Sequence, residues 1–136
     1  MDISKVRKKI KDLGFERYKL EGKMLSVLSR KKMLYGSVVK KYKACGKAGC
    51  KCTRGELHGP FYYLSFKKEG KTKMIFIRRY LWERAIKLNN NYKKWRKSRA
   101  DISKINKKIL TLFDEIEKVS TVKIDAIQKN ESNRKQ

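Results

Sequence analysis

The chain is short of nearly everything from which an enzyme site is usually assembled. Its 136 residues include one histidine, three cysteines and one proline, with thirteen acidic residues against thirty-eight basic ones. No paired carboxylates are placed for general acid–base work, and no glycine-rich loop with its following lysine is present to cradle a phosphate. No apolar run approaches the length of a transmembrane helix. The N-terminal stretch MDISKVRKKIKDL is charged from its second residue, so no secretory signal is read there. The expected address is soluble, cytoplasmic and reducing, where disulfides are rare. These absences point to a non-catalytic protein.

The scarce residues are concentrated. Cys45, Cys50, Cys52 and His58 fall within fourteen residues, in Cys45-Gly-Lys-Ala-Gly-Cys50-Lys-Cys52 and Leu57-His58-Gly59-Pro60. Thiolate and imidazole are the ligands that tetrahedral Zn2+ favours, and a structural site takes four of them with no open position. A Cys3His zinc site uses the whole set. Gly46 and Gly49 allow the backbone to turn so that Cys45 and Cys50 face one ion. The Cys50–Cys52 spacing is tighter than the common finger pattern. A disulfide would leave one cysteine over. A nucleophilic cysteine would take His58 as its base but lacks an Asn or Asp to orient it, and an enzymatic reading requires His58 not to be a ligand and the metal to keep a water.

Charge is the second feature. The net +25 makes the chain repel its own copies and attract polyanions, of which nucleic acid, DNA or RNA, is the leading expectation. An anionic membrane surface would call instead for a helix whose apolar face has no packing role, and no membrane partner is expected. Residues 78–108 hold twelve bases and two acids, whereas 109–136 hold five of each. Lys47, Lys51 and Arg54 lie between the ligands, where a metal-stiffened loop would hold them for phosphates. Arg78 and Arg79 are expected to begin a long basic helix that Lys93, Lys94, Arg96, Lys97 and Arg99 continue. The competing reading is an adaptor whose coiled coil recruits or dimerises and whose charge docks on an acidic protein or the ribosome; nucleoid association is the corresponding location for a DNA binder.

Hydrophobic periodicity predicts an α+β fold. Ile3, Val6, Ile10, Leu13, Arg17, Leu20, Met24, Val27, Lys31 and Leu34 alternate at spacings of three and four, the seam of a helix over 1–34. Gly14 and Gly22 weaken it and suggest a bend. Tyr35–Tyr42, Phe61–Phe66 and Thr72–Ile77 read as strands of a three-stranded antiparallel sheet, with a hairpin turn over Lys67–Lys71 and the metal at one end, giving a β module over 35–80. Phe61 and Tyr63 alternate with Tyr62, Leu64 and Phe66. Both sets cannot be covered by two helices, so one is expected to be partly exposed, though core packing is favoured over stacking on bases. A second heptad, Leu81, Leu88, Trp95, Ile102, Ile109 and Ile116, with Ile105, Leu112 and Val119, predicts a helix over 81–120, with Asn89, Asn90 and Asn91 as an interruption. Trp82 and Trp95 read as core. Residues 121–136 lose the period and are expected to be a flexible tail. The two seams suggest an antiparallel coiled-coil hairpin, with a homodimer through the long helix as the chief alternative.

The text YGSVVKKYKACGKAGCKCTRGELHGPFYYLSF, Tyr35–Phe66, resembles a family of small prokaryotic and viral proteins known only as a domain of unknown function. Its members share a G-S-hydrophobic pattern, then C-G-K-x-x-C-x-C, then H-G-P-[FY]-[FY]-Y. The resemblance covers about half of the chain, the sheet and weakly the long helix. It implies a shared fold and metal loop around Cys45, Cys50, Cys52 and His58, and no activity. The N-terminal helix reads as particular to this chain.

Overall fold

The computed structural model describes residues 2–135, in two compact units. One gathers the chain up to Gly22 with the chain from Arg99 onward; the other is Lys23–Ser98. Two long helices and a three-stranded antiparallel sheet supply the elements, so the fold is α+β as expected.

The first unit is a helix pair. Helix α1 spans Ile3–Ser26 and α2 spans Trp82–Ser120. Asp2 starts α1 by accepting the Ser4 N–H at 2.9 Å, which satisfies one of the amides a helix leaves free at its N-terminus. Neither Gly14 nor Gly22 breaks it, because one unfavourable residue at a time is tolerated when a face is packed. Val6 from α1 and Ile105, Ile109 and Leu112 from α2 are buried, as the two heptads require. Leu13 lies beside Leu112, and Arg17 donates to Asn106 Oδ1 at 2.9 Å, so the paired segments run antiparallel. Arg17, the seam's one cation in this segment, also pairs with Glu21 at 3.5 Å, the only ion pair among the described residues.

The chain leaves α1 earlier than the heptad predicts. After Ser26 it forms a 3-10 turn, Leu28–Arg30, which buries Leu28 in place of the expected Val27 and Lys31, both exposed. Where a flexible tail is expected, the described chain has a break at 121–123 and then helix α3, Ile124–Arg134, whose residues are all exposed.

The second unit is built on the sheet. Strands β1 (Ser37–Lys43), β2 (His58–Lys68) and β3 (Lys71–Phe76) lie in the order β1-β2-β3, with the aromatic-rich β2 central. Glu69 and Gly70 form the two-residue β2–β3 turn. Both have positive φ, 54° and 77°, the geometry that matches the twist of a hairpin. Val38, Leu64 and Ile75 stand opposite one another, so they share a face with Tyr62. This face is turned to the first half of α2. Trp82 sits edge-on to Tyr62 at 4.8 Å and donates its Nε1–H to the Ile77 carbonyl at 2.6 Å. Trp82 and Trp95 are half-buried, short of the core positions expected for them.

The expected interruption at Asn89–Asn91 is absent, and its absence has a physical cause. Asn89 is 1% exposed. Its Oδ1 accepts the Val38 N–H at 3.1 Å, and its Nδ2 donates to the Leu34 and Gly36 carbonyls at 3.1 and 2.7 Å. One side-chain amide thus stands where another strand would pair with the outer edge of β1. Asn91 adds a bond to the Lys32 carbonyl at 3.1 Å. The poor helix propensity of asparagine, of order 0.5 kcal/mol per residue, is outweighed by bonds to buried backbone groups.

Candidate metal centre

Strand β1 ends at Lys43, and the chain enters a loop whose sequence is too short of apolar residues to pack by itself. Gly46 and Gly49 have φ of 75° and 79°, a region that a side chain would strain, and they fold the loop back so that Cys45 and Cys50 converge. A 3-10 turn, Lys51–Arg54, then carries Cys52 inward. His58 opens β2. Lys41 pairs with Phe61 and Lys43 with His58, so β2 takes one more residue than β1 over this stretch and bulges at Gly59–Pro60.

The four ligand atoms of Cys45, Cys50, Cys52 and His58 all lie within 4.8 Å of one another. Cys45 Sγ and Cys52 Sγ are 3.4 Å apart, and Cys50 Sγ is 3.1 Å from His58 Nε2. Ligand atoms about 2.0–2.3 Å from a central tetrahedral ion are separated by about 3.3–3.8 Å, so the observed spacing suits one ion. Cys52 is buried, Cys50 half-buried, and Cys45 and His58 are exposed. No cysteine is in a disulfide.

The thiols are not equivalent. The Cys45 backbone N–H points at Cys52 Sγ, 3.4 Å away, and this bond leads the effects that bring the Cys52 thiol down to about 7, against the opposing effect of desolvation. Cys45 moves the other way. A bond from the Lys47 backbone favours its thiolate, but the neighbouring Cys50 and Cys52 sulfurs and loss of solvent together raise it. Three sulfurs this close cannot all carry negative charge without a cation among them.

These residues place the chain. The chain belongs to the family described as Domain of unknown function (DUF6788). The family model matches residues 4–85, which include α1, the whole sheet and the cysteine–histidine cluster and end within the first turn of α2. The N-terminal helix is therefore part of the family, contrary to the expectation that it is particular to this chain, and most of the long helix lies beyond the match. The earlier resemblance rested on the metal loop, whereas heptad positions of α1 carry no fixed residue to recognise. No curated protein and no solved structure matches the chain.

The cations named from the sequence are spread over several elements. Lys47, Lys51 and Arg54 are exposed on the metal loop. Arg78 and Arg79 do not begin α2 as expected; Arg78 precedes a 3-10 turn, Arg79–Leu81, that leads into it, and Arg79 lies 5.9 Å from the centre of the Trp82 ring. Lys93, Lys94, Arg96 and Lys97 are exposed on α2 within the sheet unit, and Arg99 is exposed in the other unit. Sequence reasoning missed Lys41 and Lys43, whose Nζ atoms lie 5.6 and 4.6 Å from the centre of the Tyr63 ring. Alternation along β1 held the signal, since Lys41 falls on the same face as Phe61 and Tyr63. Among the described residues no helix is long and apolar enough to cross a membrane.

Proposed function

We propose that this is a zinc-stabilised, non-catalytic protein that binds nucleic acid, DNA or RNA, chiefly through the phosphate backbone. One observation carries the reading. Thirty-eight basic residues face thirteen acids, and among the described residues only Arg17 and Glu21 form an ion pair. Cations left without internal partners are available to phosphates, and each phosphate neutralised releases counterions. Lys47, Lys51 and Arg54 on the metal loop, Arg78 and Arg79, and the exposed Lys93, Lys94, Arg96, Lys97 and Arg99 are the contacts assigned here.

Zinc is the ion that the donor set favours. Three thiolates and an imidazole form a soft, four-ligand set with no place for a water, which suits a structural site and not a hydrolytic one. The metal then acts on function indirectly, by fixing a loop that carries three cations.

The test is a titration of the metal-loaded protein with labelled DNA and RNA at several salt concentrations. The logarithm of affinity is expected to fall linearly with the logarithm of salt, by about 0.9 per duplex phosphate neutralised. An affinity indifferent to salt refutes the reading. A second reading, an adaptor that associates with itself or with an acidic protein or the ribosome, draws on the apolar side chains that the helix-pair unit leaves outside its seam: Phe15, Tyr18, Leu110 and Phe113 are 53–70% exposed. It requires a defined oligomer or complex that survives nuclease treatment.

A further inference from the structure

The sheet face turned away from α2 is aromatic and open. Tyr63 stands opposite Phe76 across the β2–β3 pair, and Phe61, two residues before Tyr63, shares their face. Tyr63 and Phe76 meet edge to face at 5.6 Å, and Phe76 remains 48% exposed. The ammonium groups of Lys41 and Lys43 both converge on the Tyr63 ring, and no acidic side chain pairs with either among the described residues. Two like charges thus lie over one ring, and an anion between them would relieve their repulsion.

The face continues toward the metal cluster. One hollow of about 330 Å3 is lined by Lys43, Cys45, His58 and Phe61. A second, of about 340 Å3, lies at the end of the sheet where the chain passes from β3 to α2, and is lined by Phe61, Phe76, Trp82 and Arg79 together with the His58–Pro60 turn. Flat rings that alternate with cations along one face are suited to a ligand in which flat apolar groups alternate with anions. Bases in a duplex are stacked on one another and cannot reach such a face, whereas unpaired bases can.

We infer that single-stranded nucleic acid binds across this sheet face, its bases stacking on Tyr63, Phe61 and Phe76 and its phosphates held by Lys41, Lys43 and Arg79. The inference rests on the nucleic-acid reading above and narrows it from backbone attraction in general to unpaired strands. Lysines lying on the Tyr63 ring move aside to the phosphates when a base takes their place. The metal cluster then has a second task, since it holds the Lys43 end of the face beside Phe61.

The experiment uses the full-length, metal-loaded chain with three labelled probes of equal length: oligouridylate, oligothymidylate and a DNA duplex. Tyr63→Leu and Phe76→Leu keep apolar bulk and remove the ring. Each is expected to weaken binding of at least one single strand by about 5- to 150-fold, with the salt slope and duplex affinity unchanged. Lys43→Gln is expected to lower the salt slope for the single strand by about 0.7. Comparison of the two single-strand arms assigns RNA or DNA. The inference is overturned if both leucine variants, shown to be folded by urea titration, bind single strands as the parent does, while salt-dependent binding to the duplex leaves the broader reading standing. Failure of the parent to bind any probe overturns both. Should the variants fail to fold, quenching of the parent's tyrosine fluorescence by the single strands decides, and its absence overturns the inference. Dimerisation of the parent through this face, abolished in Tyr63→Leu, also overturns it.

Discussion

Replacing Asn89 by alanine removes the acceptor for the Val38 N–H and the donor for the Leu34 and Gly36 carbonyls, at a residue that is 1% exposed. A net hydrogen bond contributes about 1 kcal/mol, and a buried polar group left without a partner costs about 1–3 kcal/mol. Three such bonds set a ceiling well above 3 kcal/mol. Alanine is a better helix former by roughly 0.5 kcal/mol, and water can reach part of the β1 edge, so a loss of about 2–3 kcal/mol is expected. With a urea slope of about 1–3 kcal/mol per molar, the unfolding midpoint falls by about 0.7–3 M. Asn90→Ala is the internal control, because Asn90 is exposed and adjacent; it should leave the midpoint unchanged or raise it slightly. Asn89→Asp retains the acceptor but sets a carboxylate against two carbonyls, and should be at least as damaging as alanine. Followed by circular dichroism, equal midpoints for Asn89→Ala and Asn90→Ala would refute the role given to Asn89, as would unchanged amide-exchange protection at Val38.

Two further outcomes concern the metal. Elemental analysis should find one zinc per chain, and Cys52→Ser should lose both the metal and thermal stability, since structural zinc binding is coupled to folding; a variant that keeps the parent's melting temperature and zinc content contradicts this. Zinc affinity should rise with pH through the neutral range, because protons compete for the sulfurs. Cys52, lowered to about 7, gives up its proton within this range, while the raised Cys45 still holds one at neutral pH that the ion must displace. Competition with a chelator at several pH values measures this, and an affinity flat across pH 6–8 rules it out.

The parts legible in the sequence were those written as a period or as a rare residue type. Val6, Ile105, Ile109 and Leu112 are buried where the heptads place them, and Cys45, Cys50, Cys52 and His58 converge in a cluster able to hold a metal, as their closeness in the sequence implies. Helix ends were less legible. The three-and-four spacing runs on through Val27, Lys31 and Leu34 although the chain has left the helix, so the pattern alone set the end of α1 too late. Phe61–Phe66 is apolar or aromatic at five of six positions, and such a run does not reveal which alternate set turns to α2. Asn89 was opaque for a different reason. By propensity it argues against a helix, and only the β1 edge, fifty-one residues away in the chain from Asn89 to Val38, turns it into a support.

In most hairpins the turn sets which residues face one another, as Glu69 and Gly70 do between β2 and β3. The link from β1 to β2 runs from residue 44 to residue 57 and is too long to do so. What brings Lys43 opposite His58 is that Cys45, just past one strand, and His58, the first residue of the next, belong to the same four-ligand cluster. Closed on a metal, the cluster would therefore work as a register stop. A slip of β1 by one position against β2 would separate Cys45 from His58 and would turn the β1 side chains, Lys41 among them, to the opposite side of the sheet, while Phe61 and Tyr63 stay where the β2–β3 turn holds them. Closure of the four side chains on a metal would thus decide whether Lys41 shares a surface with Phe61 and Tyr63.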